Sequence, residues 1–154
     1  MIRKLFVLIA ILVLLVACTS ATELPTAAPA TETPVSCQPS KIQESQSGFG
    51  EIQGEMQSGG ELWALLFFQR AYVNEEAKIV WRITGEGGEF EAQAQSESGT
   101  IIRPVWEAYH DSSTWKRPGL EWGTGFNFPA PGCWRITVTH GETKGRISLD
   151  VLGS

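Results

Sequence analysis

The sequence predicts an all-β domain, an antiparallel β-sandwich of immunoglobulin-like architecture with seven or eight strands; a small closed β-barrel is the alternative. Three observations carry this. Apolar residues alternate with polar ones over several runs, as strands with one buried face do. Glycine-rich turns separate those runs, and helix signals are poor. Residues 37–154 number 118, a size that suits one domain around one core.

The elements follow in chain order. Gly48 to Met56 is a weak first candidate. Leu62 to Phe68, LWALLFF, is apolar throughout; its aromatic content, its short length and the preceding Gly59-Gly60 favour a central strand buried on both faces over a helix. Ile79, Trp81 and Ile83 alternate with Val80, Arg82 and Thr84, and Gly85 to Gly88 turns the chain. Phe90, Ala92 and Ala94 alternate with Glu91, Gln93 and Gln95, the pattern of an edge or half-exposed strand. Ser96 to Gly99 is a further turn before a short strand at Ile101 to Val105. Trp134, Ile136 and Val138 form one run and Ile147, Leu149 and Val151 another; the glycine-bracketed segment 140–145 between them predicts an antiparallel hairpin.

Ahead of this domain stands a basic start, Met1-Ile2-Arg3-Lys4, followed by thirteen uncharged residues from Leu5 to Ala17. As a helix these span about 20 Å, short of the roughly 30 Å of bilayer hydrocarbon, so an export signal is expected over 1–17 rather than a retained span. Leu15-Val16-Ala17-Cys18 resembles the lipobox of bacterial lipoproteins, and Cys18 is the matching position. The resemblance implies cleavage before Cys18, a diacylglyceryl group on its thiol, and anchoring at the extracytoplasmic face of the cell membrane. Thr19 rather than Asp follows it, so the familiar signal for inner-membrane retention is missing. Residues 18–36 are almost wholly Thr, Ala, Pro, Ser and Glu, a composition that cannot repay chain ordering and is expected to act as a disordered linker.

With Cys18 committed to lipid, Cys37 and Cys133 remain, and in an exported chain a lone pair predicts a disulfide. The full chain carries a net charge of −5; without residues 1–17 ten basic residues face 17 acidic ones, a charge of −7. That balance opposes binding to nucleic acid and to anionic head groups, leaving the lipid as the link to the membrane.

The segments ELWALLFF, KIVWRITGEG and RPGLEWGTGFNFPAPGCWRI resemble a family of uncharacterised bacterial secreted and lipid-anchored β proteins. The resemblance covers most of residues 48–152, and its most specific part is Glu121 to Phe126 with Phe128-Pro129 and Pro131 to Trp134. It implies an exported β domain and carries no catalytic residue with it. Within that part, Pro131-Gly132 suits a tight turn into the next strand, and Gly123 and Gly125 suit a bulge or a close backbone approach.

Aromatic residues crowd the stretch from Trp106 to Phe128, which has the look of loops. Most are expected to pack over an end of the sandwich as a second small core, because burying one gains about 1.5–3 kcal/mol. The sharper expectation is a ligand surface built from Trp106, Tyr109, His110, Trp115, Arg117 and Trp122, taking a ring-shaped ligand such as a sugar or cell-wall fragment. His110-Asp111-Ser112 invites a hydrolase reading, but adjacent residues make no triad and no Gly-x-Ser-x-Gly elbow is present, so no catalytic residue is assigned. His110 and His140 are not at ligand spacing, so neither a metal nor a cofactor is expected. The function expected is a lipid-anchored binding or interaction module of the bacterial envelope, with a glycan or envelope protein as partner. The alternative is a structural or sensory envelope lipoprotein without a small ligand, and a hydrolase is the third reading.

Overall fold

The alternating runs become strands in the computed structural model, which describes residues 37–111 and 113–153. The expected signal at 1–17, lipidation at Cys18, the linker at 18–36 and Ser112 lie outside the described residues. Twelve strands follow in order: β1 (Gln43–Glu44), β2 (Gly50–Gln53), β3 (Glu55–Met56), β4 (Leu62–Leu66), β5 (Ala71–Tyr72), β6 (Glu76–Ile83), β7 (Phe90–Ser96), β8 (Ile101–Ile102), β9 (Trp106–His110), β10 (Leu120–Asn127), β11 (Gly132–His140) and β12 (Thr143–Leu152). Eight are four residues or longer; β1, β3, β5 and β8 are two-residue pieces.

They form two sheets rather than a closed barrel. The first runs β1-β2-β4-β6-β10-β9, and the second runs β3-β12-β11-β7-β8 with β5 also on β12. All pairings are antiparallel except β5 with β12. The inward set of β6, Ala77, Ile79, Trp81 and Ile83, faces that of β11, Trp134, Ile136 and Val138, across a continuous apolar core. Period two is therefore what sorts these side chains, one set between the sheets and the other outside. The two largest core residues keep their polar atoms satisfied: Trp81 Nε1 donates to Thr124 Oγ1 at 2.8 Å, and Trp134 Nε1 donates to the Ala130 carbonyl at 2.9 Å.

The first five residues of LWALLFF form central strand β4, between β2 and β6, and all five are buried; the strand stops short of the expected Phe68, leaving Phe67 and Phe68 outside it with Phe67 exposed. The 140–145 segment closes a hairpin in which His140 pairs with Thr143, so Gly141 and Glu142 make the turn, and Gly141 takes the positive φ of 57° that such two-residue turns require. β7 has one face buried and is flanked outside only by the two-residue β8. Cys37 and Cys133 are joined as a disulfide with Cα atoms 5.8 Å apart, pinning the start of the domain to β11. Ser40 continues that attachment, its amide donating to the Ser148 carbonyl at 2.8 Å and its hydroxyl accepting from the Ser148 amide at 2.9 Å.

The aromatic stretch departs from expectation. Trp106 to Phe128 holds two strands, β9 and β10, and β10 lies inside the first sheet between β6 and β9. Trp122, Thr124 and Phe126 point into the core while Glu121, Gly123 and Gly125 point out. With glycine at two of three outward positions the polar half of the alternation is absent, so the strand looks like a turn-rich loop. Pairing of β10 runs unbroken against both neighbours, and the glycines serve a close approach instead of a bulge: the Trp106 indole lies over both. A Cβ at Gly125 would stand 2.8 Å from Trp106 Cε2.

Candidate binding cleft

The outward side of the first sheet is where polar chemistry collects. Register sets two adjacent rows across it. In one, Glu51 on β2 stands opposite Leu65, Leu65 opposite Val80, and Val80 opposite Gly123. In the other, Trp63 stands opposite Arg82, Arg82 opposite Glu121, and Glu121 opposite His110. The β9–β10 connection then folds back over these rows, so Glu51 and Glu121 are only 4% and 3% exposed although they lie outside the sandwich core.

Buried carboxylates persist only when paired. Glu121 accepts from Arg82 Nε at 2.8 Å and from the Ser113 hydroxyl at 2.5 Å. The same guanidinium donates through Nη1 to the Gly119 carbonyl at 2.9 Å, and through Nη2 to Ser113 Oγ and the Trp115 carbonyl, each at 3.2 Å. Arg82 thus ties three points of the connection to the sheet. Glu51 receives both Nε and Nη2 of Arg117, and Trp115 Nε1 donates to it at 3.0 Å. The Arg117 guanidinium also lies 3.8 Å from the Trp63 ring, whose own Nε1 donates to Glu61 at 2.9 Å. Arg117 beside Glu51 holds that carboxyl below its usual range, with Trp115 adding to the effect against the opposing influence of burial.

These two staples form one wall of a cleft of about 550 Å³. Residues 43–47 and Phe49 form the other wall, and Leu65, Phe67, Lys78 and Val80 lie along its floor. Phe49 and Phe67 make a tilted pair with centroids 4.5 Å apart, each 39% exposed, and Lys78 Nζ sits 4.3 Å from the centre of the Phe67 ring. The size is that of a small-molecule site.

Of the six residues expected to make a ligand surface, the structure brings three to this cleft: His110, Trp115 and Arg117. The other three are elsewhere. Trp106 caps Gly123 and Gly125. Trp122 is buried in the core, stacked on Phe90 at 4.7 Å and 4.8 Å from the His140 ring. Tyr109 meets Trp122 edge-on at 5.5 Å. The sequence pattern gives no ligand role to Glu51, Glu121, Arg82, Phe49, Phe67 or Lys78. For Arg82 and Lys78 the signal was there, a cation at an outward position of an otherwise apolar strand, but its partners depend on strand register. No group of three or more metal-ligating side chains occurs among the described residues.

The chain matches no family model, no curated protein and no solved structure. The site itself therefore carries the functional argument.

Proposed function

We propose that this protein is a lipid-anchored binding module of the bacterial envelope that offers the cleft on its first sheet to a ligand. The observation that carries the reading is the pair of buried carboxylate staples. A hydrophobic cover would hold the β9–β10 connection at no desolvation cost, whereas buried ion pairs often contribute no more stability than apolar residues of the same size. What they do supply is fixed geometry, with Trp115 and Arg117 locked by hydrogen bonds beside an open cleft, as a preorganised site requires. Anchoring through Cys18 rests on the lipobox-like Leu15-Val16-Ala17-Cys18.

A thermal-shift screen of the mature full-length chain against envelope polysaccharides and peptides tests the binding reading. A ligand should raise the melting temperature by mass action, and Trp115→Ala should remove that response. A screen without any response, or a response indifferent to Trp115→Ala, would overturn it. Mass spectrometry of the membrane fraction tests the anchor, where an unmodified Cys18 would rule it out. The packing of Trp106 and Trp122 against the protein favours a second reading, a structural or sensory envelope lipoprotein whose aromatic residues serve only as core.

A further inference from the structure

We infer that the ligand of this cleft is an acidic saccharide, a run of sugar rings bearing carboxylates of the uronic-acid kind, with Lys78 receiving the charge. The inference rests on the binding reading above and adds the ligand's chemistry. It begins from the charge balance of the cleft. Two of its carboxylates, Glu51 and Glu121, are already answered by Arg117 and Arg82. Lys78 and Lys116 also line it, and among the described residues neither has a carboxylate within ion-pair distance. Against these stands only Glu44, so with Arg82 behind Glu121 the cleft keeps a surplus of one positive charge, on a chain whose net charge is −5. An anionic ligand is the one that such a cleft would draw from solution.

The remaining lining says what kind of anion. Lys78 is held against the Phe67 face, so its ammonium stands beside an aromatic platform instead of ranging through solvent. Phe49 extends that platform, and an aromatic face exposed to water is a surface on which the C–H face of a pyranose packs. Around it, apart from Glu44, the rim is uncharged and rich in hydrogen-bonding groups, from Gln43, Ser45, Gln46 and Ser47. Amides and hydroxyls both donate and accept, which matches a ligand covered in hydroxyls. A peptide is a poorer fit. Extended peptides gain their affinity from a free sheet edge, and this cleft lies on a sheet face whose nearest edge is the two-residue β1.

The test compares oligogalacturonate with its fully methyl-esterified form, the same rings without charge, by calorimetry on the mature full-length chain. The acid should bind about tenfold or more tightly than the ester at low salt, with the difference shrinking as salt rises. Lys78→Gln should bring the two ligands within about threefold of each other, Lys116→Gln should narrow the gap less, and the distant Lys144→Gln should leave it unchanged. Equal binding of acid and ester in the unaltered protein would overturn the charge inference and leave the binding reading standing. Binding of neither would overturn the saccharide inference, while the wider screen decides the binding reading separately. A preference for acid that survives both Lys78→Gln and Lys116→Gln would place the charge recognition elsewhere and overturn it as well.

Discussion

The outward faces of the two sheets are built from the same kinds of residue and behave differently. On the second sheet Glu91, Gln93, Arg135, Thr137, Arg146 and Ser148 alternate cleanly with core residues and reach water. On the first sheet the corresponding positions, Glu51, Trp63, Leu65, Val80 and Glu121, are buried, Glu51 and Glu121 under a connection that returns across the sheet and Leu65 and Val80 at the floor of the cleft. Each face carries an Arg–Glu pair at close range, two-pronged on the open face, where Arg146 Nε and Nη2 both reach Glu55, and single on the first sheet. Arg146 Nη2 lies 2.9 Å from Glu55, whose side chain is 69% exposed, and Arg82 Nε lies 2.8 Å from Glu121, whose side chain is 4% exposed. The distance is nearly equal and the consequence is not, because water screens the first pair and is excluded from the second. Burial, rather than the contact itself, turns an ion pair into an architectural element.

The largest expected effect is on the second sheet's covalent attachment. Replacing Cys37 and Cys133 by Ser opens a link between residues 96 positions apart, and loop entropy puts the loss at about 4–5 kcal/mol, measurable by urea unfolding. Next comes Arg82→Met on the first sheet, which strands Glu121 in a buried site and should cost about 3–5 kcal/mol. If Arg82→Met cost no more than a surface substitution, the contrast between the two faces would collapse. Gly125→Ala pushes a methyl into the Trp106 indole and should cost about 1–3 kcal/mol, with a red shift in tryptophan fluorescence as the ring is displaced.

Acid should then separate the faces by pH. Glu51 has a lowered pKa in the fold, so the native state binds fewer protons than the unfolded one at mildly acid pH. Its contribution is fully present above the ordinary carboxylate range and is lost as pH falls through the lowered value. Protection of the amides of residues 113–117, taken relative to the intrinsic exchange rate at each pH, should fall over that window, and Glu51→Gln should leave that protection low and independent of pH. Smallest of all, Arg146→Met on the open face should change stability by less than about 1 kcal/mol, since Glu55 is left solvated. Glu55 also has a lowered pKa through Arg146, but so exposed a carboxylate loses little by protonation.

The second sheet was almost fully legible in the sequence, and the first only in part, for a physical reason. Strands β7, β11 and β12 have one dry face and one wet one, so polarity alternates with structure and the eye can follow it. In the first sheet β4 is dry on both faces, which its unbroken apolar run announced, but β10 hid its alternation behind Gly123 and Gly125. The cleft was harder still. His110, Trp115 and Arg117 drew notice because they lie in one aromatic stretch, yet Glu51 lies 66 positions from Arg117 and Arg82 lies 39 from Glu121. Pairs so far apart meet only after register is set, and nothing local to either residue announces the other. Trp122 sits in the core and apart from the cleft for the converse reason: a tryptophan in a crowded stretch shows its abundance in sequence, but which side of a strand it takes depends on that same register.

The capping of Gly123 and Gly125 by Trp106 bears on how kinship to this chain can be recognised. An indole lying over two bare backbone positions is a lock in three parts: enlarge Gly125 and the ring loses its seat, enlarge Gly123 and it must shift, remove the ring and two stretches of main chain are stripped to water. Descendants of one ancestral gene should therefore keep or lose Trp106, Gly123 and Gly125 together, even where the rest of the sequence has drifted past recognition. That coupled substitution pattern is a fingerprint by which distant cousins of the domain can be sought.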